Sequence, residues 1–415
     1  PTSFIRFFIL RDEAMTYHLY ESDPYIKSFD ATVEKIDGDW ILLDQTAFFP
    51  GGGGQECDLG SIGGLRVTEV KAEGDHVYHS VPGHTFNPGQ RVHGEIDWDR
   101  RYELMKGHTG EHILFSSILR ESPDIELVKI HISPSKKSLV IKGHVDWSVI
   151  SKAQKKANEI IMKGLAVTEC WLERNEVSTS GIRAKLERIT ENKIRIIKID
   201  GFDQAACAGI HVRNTAEVNA IFVTKISSAK PIGDFEISFE VGANAMMKSI
   251  FFGAIALHAS DVIGAQPEHL VNAVENMKHL VTVLKDSLKK HARERLRSLV
   301  PERHGPFKIY SGLFESVDRK LLTDEANRFI QEEKTVCIFG STDERALFIL
   351  AVNKDVDIDC PGILNKCLSE FGGKGGGQKH FASGGTTDLI HINEVFRNIL
   401  DEVRFALSQK VANDR

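Results

Sequence analysis

Two pairs of potential metal ligands stand out in the chain. His108-Thr109-Gly110-Glu111-His112 sets two imidazoles four residues apart, and Cys207-Ala208-Gly209-Ile210-His211 sets a thiol and an imidazole at the same spacing. On a helix, positions i and i+4 share a face, so both rings of the first pair can reach one ion. Three His and one Cys suit Zn²⁺ in type and number. Each pair alone has a plain alternative: a surface or satisfied core His pair, or a small buried Cys. Together they predict a metal centre, provided that the two segments meet in space. His-x-x-Glu-His is also an inverted zinc-peptidase pattern, which would make Glu111 a catalytic base and would need a further carboxylate ligand. The CxxxH supplies two further ligands without that assumption.

The elements that must position these residues follow from period and punctuation. Residues 1–100 read as short strands. Ala31–Val33 and Trp40–Leu43 flank an Asp37-Gly38-Asp39 hairpin turn, and Leu65–Val70, His76–His79 and Gln90–Asp97 follow at regular spacing, which predicts a small barrel. From Asp99, Tyr102, Met105, His108, His112, Phe115 and Leu119 recur at three- and four-residue steps, a helix. Strands over 127–141 with a Pro134-Ser135 turn, a helix over 148–165 capped by Ser148, and strands near 169–177, 194–199, 220–226 and 235–241 make 101–242 an α+β metal-binding domain. Residues 243–299 read as a helical linker in which Leu270, Val274, Met277, Val281, Leu284, Leu288 and His291 form a coiled-coil seam. Residues 300–415 read as an α/β domain with buried strands at 337–340 and 347–352 and an amphipathic helix over 389–407.

Of the 34 glycines, seven lie between Gly51 and Gly64 and seven between Gly372 and Gly385, which predicts two loops where backbone approaches a ligand. In the first, Gly51, Gly52, Gly53 and Gly54 can present N–H groups to an oxygen, and Gln55 and Thr109 are candidate substrate contacts. The 415 residues carry net charge −6, with 27% charged and 41% apolar residues. Those values exclude a disordered chain, a fibre and a general polycation, so nucleic-acid binding must come from local basic faces. Arg100, Arg101 and Lys106 adjoin the first motif. Arg183, Lys185, Arg188, Lys193, Arg195 and Lys198 precede the second, and Lys374 sits among the late glycines. Six sparse cysteines and no secretory signal point to a reducing cytoplasm. Phe4–Leu10 reads as the start of a strand or helix. The longest apolar run, Ile250–Leu257, is far short of a membrane span.

Phe49-Pro50-Gly51-Gly52-Gly53-Gly54-Gln55 with Asp58-Leu59-Gly60, the HxxxH, and Asp200-Gly201-Phe202-Asp203 through the CxxxH resemble, in that order, the motifs of the alanyl-tRNA synthetase editing family. Phe371-Gly372-Gly373-Lys374-Gly375-Gly376-Gly377-Gln378 and Ser383-Gly384-Gly385 resemble the end of its C-terminal domain, which also occurs in DHH-type phosphoesterases. No aminoacylation module precedes these motifs, as expected of the family's long freestanding form. The resemblance implies hydrolysis of tRNA(Ala) mischarged with serine, or with glycine. It implies Zn²⁺ held by His108, His112, Cys207 and His211; because catalysis needs an open coordination position, His211 is alternatively a looser ligand or an acid/base. Arg100, Arg101, Lys106, Lys193, Arg195 and Lys374 become tRNA contacts, and a homodimer through the linker and C-terminal domain is expected. Nucleotide and ATP binding come only by family association. Two departures are Ile210 where relatives carry Thr, and Glu111 where they carry a non-acidic residue. The rival functions are the zinc peptidase and a non-catalytic tRNA-binding or dimerisation protein with structural zinc. Thr46, Thr109, His131 and Ser133 are candidate readers of the serine hydroxyl.

Overall fold

The computed structural model describes residues 16–230 and 233–413. The Phe4–Leu10 run lies outside them. The chain divides into two compact units, 1–258 and 259–415.

The first unit opens with a seven-stranded antiparallel sheet. Its edge strands, Leu65–Val67 and Glu69–Glu73, are separated in sequence by Thr68 alone. The sheet must therefore curl until its edges almost meet, giving a barrel-like wall around Phe29, Val33, Ile41, Phe48, Ile62 and Val77. The hairpin Ser28–Asp37/Trp40–Leu43 forms as expected, with Gly38 left-handed at φ +59°. The alternating run 65–70 is cut in two at Thr68 rather than forming one strand.

Next comes the helix Trp98–Glu121, whose first turn is capped by the Asp97 carboxylate accepting from Arg100 N–H. It packs with the helix Trp147–Lys163 against a four-stranded antiparallel sheet ordered Glu126–Ile132, Lys137–Lys142, Asp234–Val241, Ile221–Ser228. The cap of the second helix is Asp146, which accepts from both Ser148 N–H and Val149 N–H, so Ser148 lies inside the first turn. A smaller sheet, Val167–Glu173, Lys193–Ile199 and Asp203–Ala206, carries the second motif. The expected strand to Val177 ends at Glu173, where a capping box starts the helix Arg174–Thr179.

The helix Gly242–Ile263 follows. With 22 residues it is long and apolar enough, by length and composition only, to cross a membrane. The eight-residue run seen in the sequence is thus extended on both sides by small and apolar residues; one such helix is weak evidence of a span.

The second unit contains the helix Leu270–Arg297 and a six-stranded sheet ordered Glu302–His304, Phe307–Glu315, Thr335–Thr342, Ala346–Val352, Phe381–Thr386, Lys374–Gln378. Only Phe307–Glu315 with Thr335–Thr342 is parallel. The unit is therefore α+β rather than the α/β expected. Ile338, Phe348 and Leu350 face the helices Cys360–Ser369 and Ile392–Asn413, while Cys337, Phe339 and Ile349 face the helix Arg319–Phe329. Burial of both faces explains the unbroken apolar runs. The late glycines form a hairpin, not a loop. A Cβ on Gly384 would sit 2.7 Å from Gly375 Cα, and one on Gly375 would sit 2.9 Å from Leu364 Cβ, so glycine here lets strands and helix pack closely.

Candidate metal centre

The two motifs meet. One ligand atom from each of His108, His112, Cys207 and His211 lies within 4.8 Å of every other. His108 and His112 sit one turn apart on the buried face of Trp98–Glu121, and Cys207 and His211 arrive on the loop after Asp203–Ala206. Cys207 Sγ is 3.4 Å from His108 Nε2 and 3.4 Å from His211 Nε2. A tetrahedral zinc site with usual bond lengths has ligand-to-ligand edges of about 3.3–3.6 Å; the two edges from Cys207 match it, and the four donors together lie within 4.8 Å, so drawing them onto one ion needs only a small contraction.

Each imidazole is held by its other nitrogen. His108 Nδ1 meets Gln55 Oε1 at 2.8 Å, His112 Nδ1 meets Asp203 Oδ2 at 3.1 Å, and His211 Nδ1 meets Thr109 Oγ1 at 3.1 Å. These partners fix ring orientation and leave Nε2 for the centre, the usual outer shell of a metal-binding histidine. Asp203 also accepts from Ser116 Oγ at 2.6 Å and from Arg183 at 2.8 Å.

The electrostatics suit a cation. Burial opposes ionisation of the Cys207 thiol, but His108 and His211 beside it outweigh that and hold its pKa well below the usual thiol value. Burial likewise works against charge on His112, yet the hydrogen bonds it donates to Asp203 and Cys207 push its pKa up to about 10. Burial pushes His211 down to about 3, a neutral imidazole that suits a ligand better than a proton carrier. Burial would raise the Asp203 carboxyl, but the His112 hydrogen bond and the Arg183 charge hold it well below the carboxylate range. Metal entering this set displaces protons from the thiolate–imidazolium pair, so affinity rises with pH.

The backbone is shaped to the same end. Gly51, Gly52, Gly53 and Gly54 all have positive φ, from +57° to +137°. A Cβ on Gly54 would lie 2.5 Å from Ile130 O, because this loop is stitched to the strand Glu126–Ile132 by Ile132 N–H to Gly54 O at 2.8 Å and Glu56 N–H to Ile132 O at 3.0 Å. Gly209 has no room for a side chain, since a Cβ would stand 2.2 Å from the His108 ring. Arg195 clamps the same turn, donating to Cys207 O at 3.1 Å and to Gly209 O at 2.6 Å.

The centre lies at the wall of a cleft of about 930 Å³ bordered by Gly53, Gly54, Glu111, Lys129, Lys185 and Arg188, among others. Glu111 is 1% exposed, and burial raises its pKa. Its carboxylate is outside the ligand cluster.

Other expected site residues are placed differently. Gln55 is 3% exposed and its Oε1 is engaged by His108 and by Ile210 N–H at 3.2 Å, so it orients ligands. Thr109 is buried, with its hydroxyl on His211 and accepting from Val212 N–H at 3.2 Å. Thr46 is buried against His79 at 2.8 Å, inside the barrel. Ser133 closes the turn to Lys136. Ile210 lies in the hydrophobic core, so its methyl groups, and any hydroxyl in their place, point away from the cleft.

Arg101 is corrected outright: it is 0% exposed and cannot touch a phosphate. It donates to Asp58 at 2.8 Å and to the carbonyls of Pro24 and Ala47, while Asp58 accepts from Phe49 N–H at 2.6 Å. This buried pair ties the glycine loop to the ligand helix. Arg100 pairs with Glu56 at 2.9 Å, Lys106 pairs with Glu103 at 3.1 Å, and Arg195 pairs with Glu169. Lys193 and Lys374 are exposed. Of the sequence clusters, Arg183, Lys185 and Arg188 border the cleft. Sequence reasoning missed the roles of Asp203, Arg195 and Lys129. Asp203, four residues before Cys207, was visible only as part of a motif.

A His₃Cys donor set, oriented by buried polar partners between a barrel-like sheet and an α+β layer, makes a candidate metal centre beside a cleft lined by Lys129, Arg183, Lys185 and Arg188 as well as by Glu111, Glu126 and Glu187. Comparisons with known proteins give the chain's likenesses. The model for class II (A) tRNA synthetases matches residues 6–100, and that for the threonyl and alanyl tRNA synthetase second additional domain matches 194–237. An alanine–tRNA ligase from Pyrococcus abyssi is 29% identical over 422 residues; the match takes in 95% of this chain but only 44% of the ligase. The alanyl-tRNA editing protein AlaX-L from Pyrococcus horikoshii is 27% identical over 387 residues, with 89% of this chain and 94% of that protein covered. A solved C-Ala domain from Aquifex aeolicus alanyl-tRNA synthetase aligns with 26% of the chain at 22% identity and a TM-score of 0.24. The chain is thus similar over 89% of its length to an alanyl-tRNA editing protein, the likeness that its motifs pointed to.

Proposed function

We propose that this chain hydrolyses mischarged tRNA(Ala), freeing serine, and glycine, from the 3′-terminal ribose, with Zn²⁺ held by His108, His112, Cys207 and His211. The convergence of two distant motifs on one donor set, beside a cleft that carries Lys129, Arg183, Lys185 and Arg188, supports this reading. The editing relative matched over 94% of its length supports it.

When bound, Zn²⁺ supplies Lewis acidity for an ester carbonyl or an attacking water. Gln55, Asp203 and Thr109 keep the three rings aimed. The Gly53–Gly54 backbone narrows one wall of the cleft, where no side chain intrudes. Lys129, Lys185 and Arg188 receive the phosphates of the acceptor end, so affinity falls steeply with salt. The peptidase alternative lacks its extra ligand: among the described residues the cluster contains no carboxylate. The exposed Val274, Met277, Val281, Leu284 and Leu288 of Leu270–Arg297 suit a coiled-coil homodimer, and six free cysteines suit a reducing cytoplasm.

The test is deacylation of seryl-tRNA(Ala) against alanyl-tRNA(Ala). Metal-replete protein should release serine far faster than alanine and lose that activity on chelation. Serine release no faster than the spontaneous rate would remove the proposal. Val281→Asp with Leu284→Asp should sediment as monomer if the seam pairs two copies.

A further inference from the structure

Three carboxylates line the cleft, Glu111, Glu126 and Glu187; the last two are exposed to water, and Glu111 alone of the three is buried. It is 1% exposed, and its Oε1 has no hydrogen-bond partner among the described residues. Its neighbours on the helix, His108 and His112, are occupied at the centre. Arg183, whose charge reaches Glu111, is committed to Asp203 at 2.8 Å. A buried carboxylate with an unmet oxygen is costly, and persists where a donor arrives from outside. Phosphates offer no donor at neutral pH and would meet Lys129, Lys185 and Arg188 on the rim, so the phosphate backbone does not supply the donor.

An aminoacyl ester carries one cation, the α-ammonium, two bonds from its carbonyl carbon. An ester carbonyl at the His₃Cys centre therefore carries the ammonium along into the surrounding wall, where Glu111 stands beside His112. We propose that Glu111 receives the α-ammonium of the aminoacyl ester, so that the site selects esters with a free amine and rejects N-acylated ones, peptidyl-tRNA included. This deepens, and rests on, the deacylase reading. It also explains why an acidic residue is useful inside this HxxxH without being a base. Serine, glycine and alanine esters all carry the ammonium, so Glu111 separates none of them; it separates amines from amides and alcohols.

The experiment uses the metal-replete full chain and three esters. These are seryl-tRNA(Ala), its N-acetyl derivative, and glyceryl-tRNA(Ala), in which an α-hydroxyl replaces the ammonium. Each rate is divided by the spontaneous hydrolysis of the same ester. A charge-assisted buried hydrogen bond corresponds to about 10–100-fold in kcat/KM, so wild type should favour the seryl ester over both others by about that factor. Glu111→Gln should shrink the preference to about three-fold or less, through lower kcat/KM on the seryl ester, with the metal content of wild type. A merely structural role would slow all three esters together and leave the ratio intact, and that result overturns the proposal. So does a wild type that treats the three alike. If Glu111→Gln does not fold, the wild-type ratio decides alone. A wild type inert towards seryl-tRNA(Ala) removes the deacylase reading and this one with it; cleavage without amine preference removes only this one.

Discussion

Asp203 is where a small change should have a separable effect on metal binding. Its carboxylate accepts from His112 Nδ1 at 3.1 Å, Ser116 Oγ at 2.6 Å and Arg183 at 2.8 Å. In Asp203→Ala the His112 ring loses its orienting partner and the charge that makes its Nε2 more basic. Removing such an outer partner typically lowers metal affinity 10–100-fold, about 1.4–2.7 kcal/mol. Ser116, 2% exposed, is left unsatisfied, a further cost to folding of about 1–3 kcal/mol. Arg183, with its side chain 25% exposed, can turn to water and adds little. The two effects separate in Ser116→Ala, which deletes one bond to Asp203 but leaves the His112 contact, and should change metal affinity by less than about three-fold. The assay is competition with a chromophoric chelator on protein shown to be folded by circular dichroism. Equal metal affinity in Asp203→Ala and wild type, or an equal loss in Ser116→Ala, would refute the orienting role.

Arg101→Ala should destabilise the first unit by about 3–5 kcal/mol in denaturant titrations, because Asp58 is left charged and buried; Arg100→Ala, at an exposed partner, should cost less than about 1 kcal/mol. An Arg101→Ala protein of native stability with weakened tRNA binding would restore the phosphate-contact reading. Gly209→Ala forces a Cβ to within 2.2 Å of the His108 ring, so elemental analysis should show metal well below one ion per chain, and full occupancy would show that the loop yields. Burial pushes His79 down to about 4 from 6.5. Its folded form stays neutral while the unfolded chain takes up a proton, so its stabilising contribution is complete above pH 6.5 and fades as pH falls towards 4. Between pH 7.5 and 5 the stability advantage of wild type over His79→Leu should shrink by about 2 kcal/mol; a constant difference would mean that the ring is charged or solvated in the fold.

Much of the site was legible because its grammar is local. An i,i+4 pair on an amphipathic helix declares a shared face, and hairpin turns such as Asp37-Gly38-Asp39 declare themselves by the residues that left-handed backbone prefers. Misreadings occurred where tertiary context outweighs local preference. Arg101 sits in a basic pair beside a ligand motif, yet the fold buries it against Asp58, forty-three residues away. The late glycines read as a loop, although here glycine removes side chains between a hairpin and the helix Cys360–Ser369. The C-terminal sheet has the continuous apolar strands of a parallel sheet, because both its faces are covered, but only one of its pairings is parallel.

The amino-acid order alone determined the donor types, their four-residue spacing, the helix that carries two of them and the turns that need glycine, since each depends on neighbours within a few residues. Three-dimensional packing decided that Cys207 and His211 come to His108 and His112 across nearly a hundred residues. It also decided that Gln55, Asp203 and Thr109 hold the rings, and that Glu111 faces the cleft with an unmet oxygen. Those outcomes depend on which distant surfaces bury each other, and burial sets both the hydrogen-bond partners and the charge state of every group at the centre.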